Sequence, residues 1–228
     1  MQVIPRGFYL RSPGFLLPGG EEKNHMTTLE KSRSRITTKT IARIAILGAI
    51  AFVLMLFEFP LPFAPSFYQI DLSEVAVLIG TFAMGPVEGV IIEALKIVLH
   101  ILFHGTTTAY VGELANFIIG CAFIVPAGII YKHHKTRKTA MIGMITGTLC
   151  MALAGSLINY FVLLPMYSTL YGMPMDTIIA MGTAIFPAVK NMFTFVCLCV
   201  VPFNLFKGAV VSVLTGILYK HVSPILHR

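Results

Sequence analysis

Charged residues are scarce in this sequence. Only 12% of its 228 residues are Asp, Glu, Lys or Arg and 56% are apolar, whereas about 25% are charged in soluble domains. Several apolar runs reach about 18 residues, which is enough for a helix to cross a bilayer. The composition excludes an ordinary soluble domain and predicts an all-α protein with several spans through the lipid bilayer.

Motifs of catalysis and nucleotide binding are missing as well. No GxxxxGK(S/T) run is present, so the chain has no P-loop for ATP. GxSxG and HExxH are also absent, which leaves no sequence case for an intramembrane hydrolase. The four cysteines lie in apolar segments without zinc-type spacing, so we expect reduced thiols. We predict no catalytic residue, no metal site and no enzymatic activity.

The few basic residues are unevenly distributed. Of 17 Lys and Arg, eight precede residue 44, four lie in 132–138 and two follow residue 219. Basic segments next to membrane spans stay in the cytoplasm. The net charge of +7 therefore indicates topology, and not a nucleic-acid face. It predicts a multi-pass protein of the cell membrane with both termini in the cytoplasm.

The apolar segments divide the chain into two parts. Residues 1–38 are basic and punctuated by Gly and Pro, which predicts a largely disordered cytoplasmic tail, with Met26 as a second candidate start. Residues 39–222 form the expected membrane domain. Its predicted spans are 40–57, 73–85, 87–104, 109–131, 139–164 and 202–220. Because both termini are expected inside, we interpret 177–200 as a broken helical excursion in the outer half.

The segment FPLPFAPSFYQIDLSE, residues 59–74, separates the first two spans. Prolines at 60, 62 and 65 exclude a helix here, because each removes a donor and clashes with the preceding turn. Its aromatic side chains are unusual in a simple connector. We therefore predict an ordered extracellular loop between helices 1 and 2 of a six-helix bundle.

Two groups of polar residues lie within the predicted spans. Glu93, Lys96, His100 and His104 share one helical face, and ionisable groups inside a membrane indicate a functional site. They are expected to form either an internal Glu93–Lys96 ion pair or, less simply, a metal site from Glu93 and the two histidines.

The second group is Asn159, Asn204 and Lys207, at one depth in the outer half. Buried amides and ammonium groups need partners, so they either bond to one another or bind a ligand. Glu113 and Asn116, near the start of the fourth span, either line the same cavity or act as counter-ions for Lys207 or Lys96.

Small residues four apart occur in the first span, at Ala45 and Ala49. Such a pair allows another helix to approach closely in lipid. The partner is either another helix of this bundle or a separate protein.

Several stretches together resemble the riboflavin-specific S component of energy-coupling factor (ECF) transporters over about residues 40–224. They are FPLPFAPSFYQIDLSEV, GPVEGVIIEALK, VGELANF, INYFVLLPMY, IIAMG and VPFNLFKG. The resemblance implies a six-helix subunit that captures riboflavin, with FMN as a second candidate ligand, as a transported substrate and not as a cofactor. It also implies partners, namely a transmembrane coupling subunit and two cytoplasmic ATPase subunits.

The resemblance also assigns roles to residues. It implies that Asn159, Asn204 and Lys207 bind the vitamin, and that Ala45 and Ala49 dock the coupling subunit. The loop becomes a lid, in which Phe63, Phe67 and Tyr68 pack on the flavin ring. An ion-coupled secondary transporter, with an ion site at Glu93 or Glu113, is the alternative.

Overall fold

The computed structural model describes residues 37–106, 108–170, 172 and 174–226. The predicted tail lies outside these residues except for Thr37 and Thr38, and so does Met26. In the described residues the fold is almost entirely helical. Its helices are α1 (Thr38–Met55), α2 (Ser73–Met84), α3 (Pro86–His104), α4 (Val111–His133), α5 (Arg137–Ile158), α6 (Leu164–Leu170), α7 (Met175–Ile185), α8 (Met192–Phe195) and α9 (Val201–Leu226).

Four helical segments of the described chain are long and apolar enough to cross a membrane. They are Thr38–Met55, Val111–His133, Arg137–Leu170 and Met192–Tyr219. Most of their large exposed side chains are Ile, Leu, Val and Phe, which suits contact with lipid. This chain is therefore an all-helical membrane protein.

Helix α2 lies in the centre of this bundle. It has only 12 residues, and those from Ser73 to Phe82 are all buried. It ends at Gly85, whose φ of 137° is a conformation that favours glycine, and Pro86 then starts α3. The break predicted at Gly85-Pro86 is present. The turn folds α3 back along α2, so the polar residues of the two helices can meet.

The segment between α1 and α2 folds back on itself. Strand β1 (Phe59–Pro60) pairs in antiparallel fashion with β2 (Gln69–Ile70), with Phe59 opposite Ile70. The side chains of Ala64, Tyr68 and Ile70 are buried against the helices. The loop is thus anchored by its own apolar residues.

Two predicted helix ends were wrong. The fifth span was expected to end before Pro165, but α5 continues through a π-helical turn, Asn159–Leu163, into α6. The last span was expected to begin at Pro202, but α8 leads into α9 through a second π-helical turn, Val196–Val200. Of the predicted excursion at 177–200, only the part in α7 and the break that follows α7 are separate from the last continuous helix.

The π-helical turns explain why these prolines do not end the helices. Pro165 and Pro202 each follow such a turn by two residues. A proline in an α-helix clashes with the carbonyl four residues earlier and lacks a donor to it. In a π-helical turn the hydrogen bonds reach five residues back, as between the Leu164 N–H and the Asn159 carbonyl. The wider turn leaves room for the proline ring.

Candidate ligand-binding site

A cavity of about 630 Å³ lies between the 59–74 loop and the helices, which is within the usual range for small-molecule sites of roughly 300–1,000 Å³. It brings together all the predicted ligand-binding residues except Phe63. Those in its lining are Phe67, Tyr68, Glu113, Asn116, Asn159, Asn204 and Lys207.

Phe63 lies outside the cavity lining. Its ring packs edge-to-face on Phe206, with 5.3 Å between the ring centroids. Phe203, which had not been predicted, lines the cavity instead, and its ring centroid is 5.4 Å from that of Tyr68. Phe67, Tyr68 and Phe203, together with Tyr167, therefore provide the aromatic surface of the cavity.

Asn159 connects the loop to the helices. Its amide donates to the carbonyl of Gly155 at 2.7 Å, and its side-chain oxygen accepts from the Tyr68 hydroxyl at 2.5 Å. Tyr68 belongs to the loop, whereas Asn159 begins the first π-helical turn. Such turns occur often at functional sites. This π-helical turn places the Asn159 amide directly against the loop.

Asn204 is held in a similar way on α9. Its amide donates to the carbonyl of Val200 at 2.9 Å, and the residue is 5% exposed. Among the residues that the structure describes, its side-chain oxygen has no hydrogen-bond partner, so it can accept a bond from a ligand. The side chain lies against Gly155, where an added Cβ would come within 2.8 Å of the amide nitrogen.

Lys207 forms an ion pair that had not been predicted. Its Nζ lies 2.8 Å from Oδ2 of Asp71, at the end of the loop. The other oxygen, Oδ1, accepts from the backbone N–H of Ser73 at 2.9 Å and from the Ser73 hydroxyl. Asp71 is 3% exposed. The one sequence signal for it was the presence of two carboxylates in the loop segment.

A second ionic cluster lies beside the first, between α2 and α3. The predicted Glu93–Lys96 ion pair is confirmed, with 2.7 Å between Nζ and Oε1. Lys96 also pairs with Glu74, at 2.9 Å, and donates to the Ser73 hydroxyl at 3.2 Å. Ser73 thus lies between the two clusters. Lys96 and Glu93 are completely buried, and Glu74 was not predicted as a partner.

Glu113 and Asn116 line the cavity and do not serve as counter-ions in this structure. Glu113 accepts from the Thr108 hydroxyl at 2.8 Å. Lys207 is paired with Asp71 and Lys96 with two glutamates. Of the two alternatives left open by the sequence, the geometry supports the cavity. His100 and His104, which stack at 4.8 Å between centroids, line it too.

Two loop residues and the adjacent Glu58 have shifted pKa values. Burial raises the pKa of the Tyr68 phenol, which keeps it a donor to Asn159. Burial alone would raise the pKa of Asp71, but the ammonium groups of Lys207 and Lys96 outweigh it and hold that pKa well below its usual range. Burial and the nearby Asp71 raise the pKa of Glu58. Asp71 is therefore ionised throughout the physiological pH range.

The arrangement suits a flat, uncharged ligand with hydrogen-bonding edges. Aromatic rings, amides and carboxylates all line the cavity, so it offers apolar surface together with hydrogen-bond donors and acceptors. A second concavity of about 470 Å³ lies along α7, between Asp176 and Lys190, and its lining includes none of the predicted ligand-binding residues. The cavity beneath the loop is the stronger candidate.

The family model described as ECF transporter, substrate-specific component, matches residues 39–219. A protein of Staphylococcus aureus (strain TCH60), named riboflavin transporter RibU, is 35% identical over 190 residues, which cover 83% of this chain and 93% of that protein. Riboflavin transporter FmnP of Bacillus subtilis (strain 168) is 32% identical over 187 residues, covering 82% and 93%.

A solved structure is also similar to this chain. It is described as "Structure and mechanism of the S component of a bacterial ECF transporter". The two superpose with a TM-score of 0.65 and 36% sequence identity, over 83% of this chain and 98% of that one.

Proposed function

Since this chain belongs to the family of ECF transporter substrate-specific components, we propose that it binds riboflavin and serves as the substrate-capture subunit for its uptake. The relatives of S. aureus and B. subtilis are both named riboflavin transporters. The observation that carries the proposal is the cavity beneath the loop, with amides, a paired lysine and aromatic rings around it.

Riboflavin matches the chemistry of this cavity. It has a flat, apolar ring system, an edge with alternating donors and acceptors, and a tail of hydroxyl groups. Phe67, Tyr68 and Phe203 would pack on the ring. Asn159, Asn204 and Lys207 would bond to the edge and the tail, and Glu113 and Asn116 also lie in the cavity lining. FMN, suggested by the name FmnP, is the second candidate ligand.

The chain would take up the vitamin only with partners. It has no P-loop, so the ATPase activity must come from other subunits. An ECF module with a transmembrane coupling subunit and two cytoplasmic ATPases would supply it. Ala45 and Ala49 are the proposed docking residues, which is supported by their exposure on α1, whereas Gly48 between them is buried against Leu95.

The proposed topology has six spans and both termini in the cytoplasm. The spans would be α1, α2, α3, α4, the continuous helix of α5 and α6, and that of α8 and α9. This count keeps the basic segments before α1, between α4 and α5, and after α9 on one side. The 59–74 loop would then face the outside, where the vitamin enters.

The proposal is tested by binding to the purified protein. A riboflavin-binding chain expressed in cells should be yellow and should quench flavin fluorescence. Asn204→Ala and Lys207→Ala each leave a buried group unpaired, which costs about 1–3 kcal/mol, or roughly 5- to 150-fold in affinity. Each variant should therefore bind riboflavin at least several-fold more weakly.

Ser212→Ala is the control for these variants. Ser212 lies on the same helix, more than one turn beyond Lys207, and outside the cavity lining. The Ser212→Ala protein should bind riboflavin with the affinity of the wild type. Unchanged affinity in both Asn204→Ala and Lys207→Ala would show that the ligand binds elsewhere.

A further inference from the structure

We propose that Asp71 determines the charge selectivity of the site: by neutralising Lys207, it makes the cavity prefer an uncharged flavin over its anionic monophosphate. This inference rests on the proposed function, because it specifies which flavin the same cavity accepts. Asp71 is a specificity-determining residue that acts through Lys207.

The first step of the argument is that Lys207 has its own counter-ion. Its Nζ lies 2.8 Å from Oδ2 of Asp71, and both side chains are less than 10% exposed. Asp71 is fixed from the other side by the backbone N–H and the hydroxyl of Ser73. Its carboxylate therefore stays in place and is not a mobile partner that a ligand could easily displace.

The second step is that neither ionic cluster contains an unpaired ammonium group. Lys96 is paired with Glu74 at 2.9 Å and with Glu93 at 2.7 Å. Its charge is already offset by two carboxylates, so it does not serve as a cation for a ligand. The charge of Lys207 is matched by Asp71 alone among the ion pairs of the described residues.

The third step concerns the cavity as a whole. Of the described residues in its lining, Glu58, Asp71 and Glu113 are acidic, and Lys207 is the one Lys or Arg. Three acidic side chains thus line the same cavity as a single ammonium group. A phosphate monoester carries about −1.5 to −2 charges near pH 7, and like charges in a site with little water are strongly unfavourable.

The test compares FMN with riboflavin. Dissociation constants of both flavins are measured by fluorescence quenching at about pH 8, where unperturbed imidazoles are neutral. The quantity of interest is the ratio of the FMN constant to the riboflavin constant. Asp71→Asn frees the charge of Lys207, so this ratio should fall at least about tenfold.

Three variants separate the role of Asp71 from a general effect of charge. Glu113→Gln removes a carboxylate from the same cavity without touching Lys207 and should lower the ratio much less. In the double variant Asp71→Asn/Lys207→Met both charges are gone, so the ratio should return toward the wild-type value. Glu88→Gln, on the first turn of α3 and outside the cavity lining, should leave the ratio unchanged.

A variant of opposite effect covers the case in which Asp71→Asn does not fold. Lys207→Met leaves Asp71 without its cation, so the ratio should rise at least about tenfold, even though both flavins bind more weakly. If Asp71→Asn or Lys207→Met folds and its ratio of dissociation constants is unchanged, the inference about Asp71 is overturned while the proposed function stands. Equal shifts of the ratio in Asp71→Asn and Glu113→Gln would overturn it in the same way. A wild-type protein that binds no flavin would overturn the proposed function and this inference together.

Discussion

At the scale of single residues, local spacing placed Asn204 and Lys207 on one helical face but did not predict the partners of the buried polar groups. Asn204 and Lys207 are three apart on one helix, so the sequence placed them on one face. Their partners come from distant segments: Asp71 is 136 residues from Lys207, and Tyr68 is 91 residues from Asn159. Local periodicity in the sequence does not indicate contacts between residues so far apart. The counter-ion considered for Lys207 was Glu113, which is bonded to Thr108 instead.

Gly155 provides a test of how the site is built. An added Cβ would lie 2.8 Å from the amide nitrogen of Asn204, so Gly155→Ala should displace that amide. We expect riboflavin affinity to fall about fivefold or more, as for a lost hydrogen bond of about 1 kcal/mol. Isothermal titration of the purified variant measures this loss.

The matched control for this substitution is Gly216→Ala. Nothing lies within 4 Å of a Cβ at Gly216, so its affinity should stay at the wild-type value. If Gly155→Ala also binds normally, the amide of Asn204 is not held against α5 in the liganded protein.

At the scale of helices, periodicity gave most spans within a few residues but failed at two prolines. The first span was predicted as 40–57 and is Thr38–Met55. Pro165 and Pro202 were taken as helix ends because an isolated proline disrupts an α-helix. A π-helical turn has no sequence signature of its own. The continuous helices, and the placement of Asn159 at the start of such a turn, therefore could not be predicted.

The exposed face of α1 leads to a prediction about coupling. If Ala45 and Ala49 form the docking surface, Ala45→Trp or Ala49→Trp should abolish riboflavin uptake by the assembled transporter, because the bulky ring prevents close helix approach. Binding to the isolated chain should stay within about twofold, since both residues lie away from the cavity. Uptake into proteoliposomes and fluorescence quenching measure the two effects.

Leu153→Trp on α5 is the control. Leu153 is 63% exposed, so the larger side chain should be accommodated by lipid, with normal uptake. A loss of riboflavin binding in the α1 variants would mean that this face packs within the bundle and does not meet a partner.

At the scale of the whole molecule, charge distribution predicts the orientation in the membrane. In a background with the four native cysteines replaced by serine, Ser66→Cys should react with an impermeant maleimide added to intact cells. Lys135→Cys should react only after the cells are opened, because its loop is expected in the cytoplasm. Labelling of position 135 in intact cells would overturn the proposed topology.

Energy supply gives a second prediction at this scale. The chain alone, reconstituted into liposomes, should bind riboflavin without accumulating it, because it lacks a nucleotide-binding motif. Accumulation measured with radiolabelled vitamin should appear when the coupling and ATPase subunits and ATP are added. Uptake by the lone chain that ionophores abolish would favour the ion-coupled transporter instead.

The short buried helix α2 also has a consequence for synthesis of the chain. At 12 residues it is about 18 Å long, well short of a hydrocarbon core of roughly 30 Å, and it carries Glu74. Such a segment does not leave the translocon for lipid unaided. Its carboxylate pairs with Lys96 of α3, so we expect the two helices to insert together as a hairpin. When a ribosome has just made α2, the partner of Glu74 is therefore still missing, and the Glu74–Lys96 ion pair can form only after α3 has left the exit tunnel.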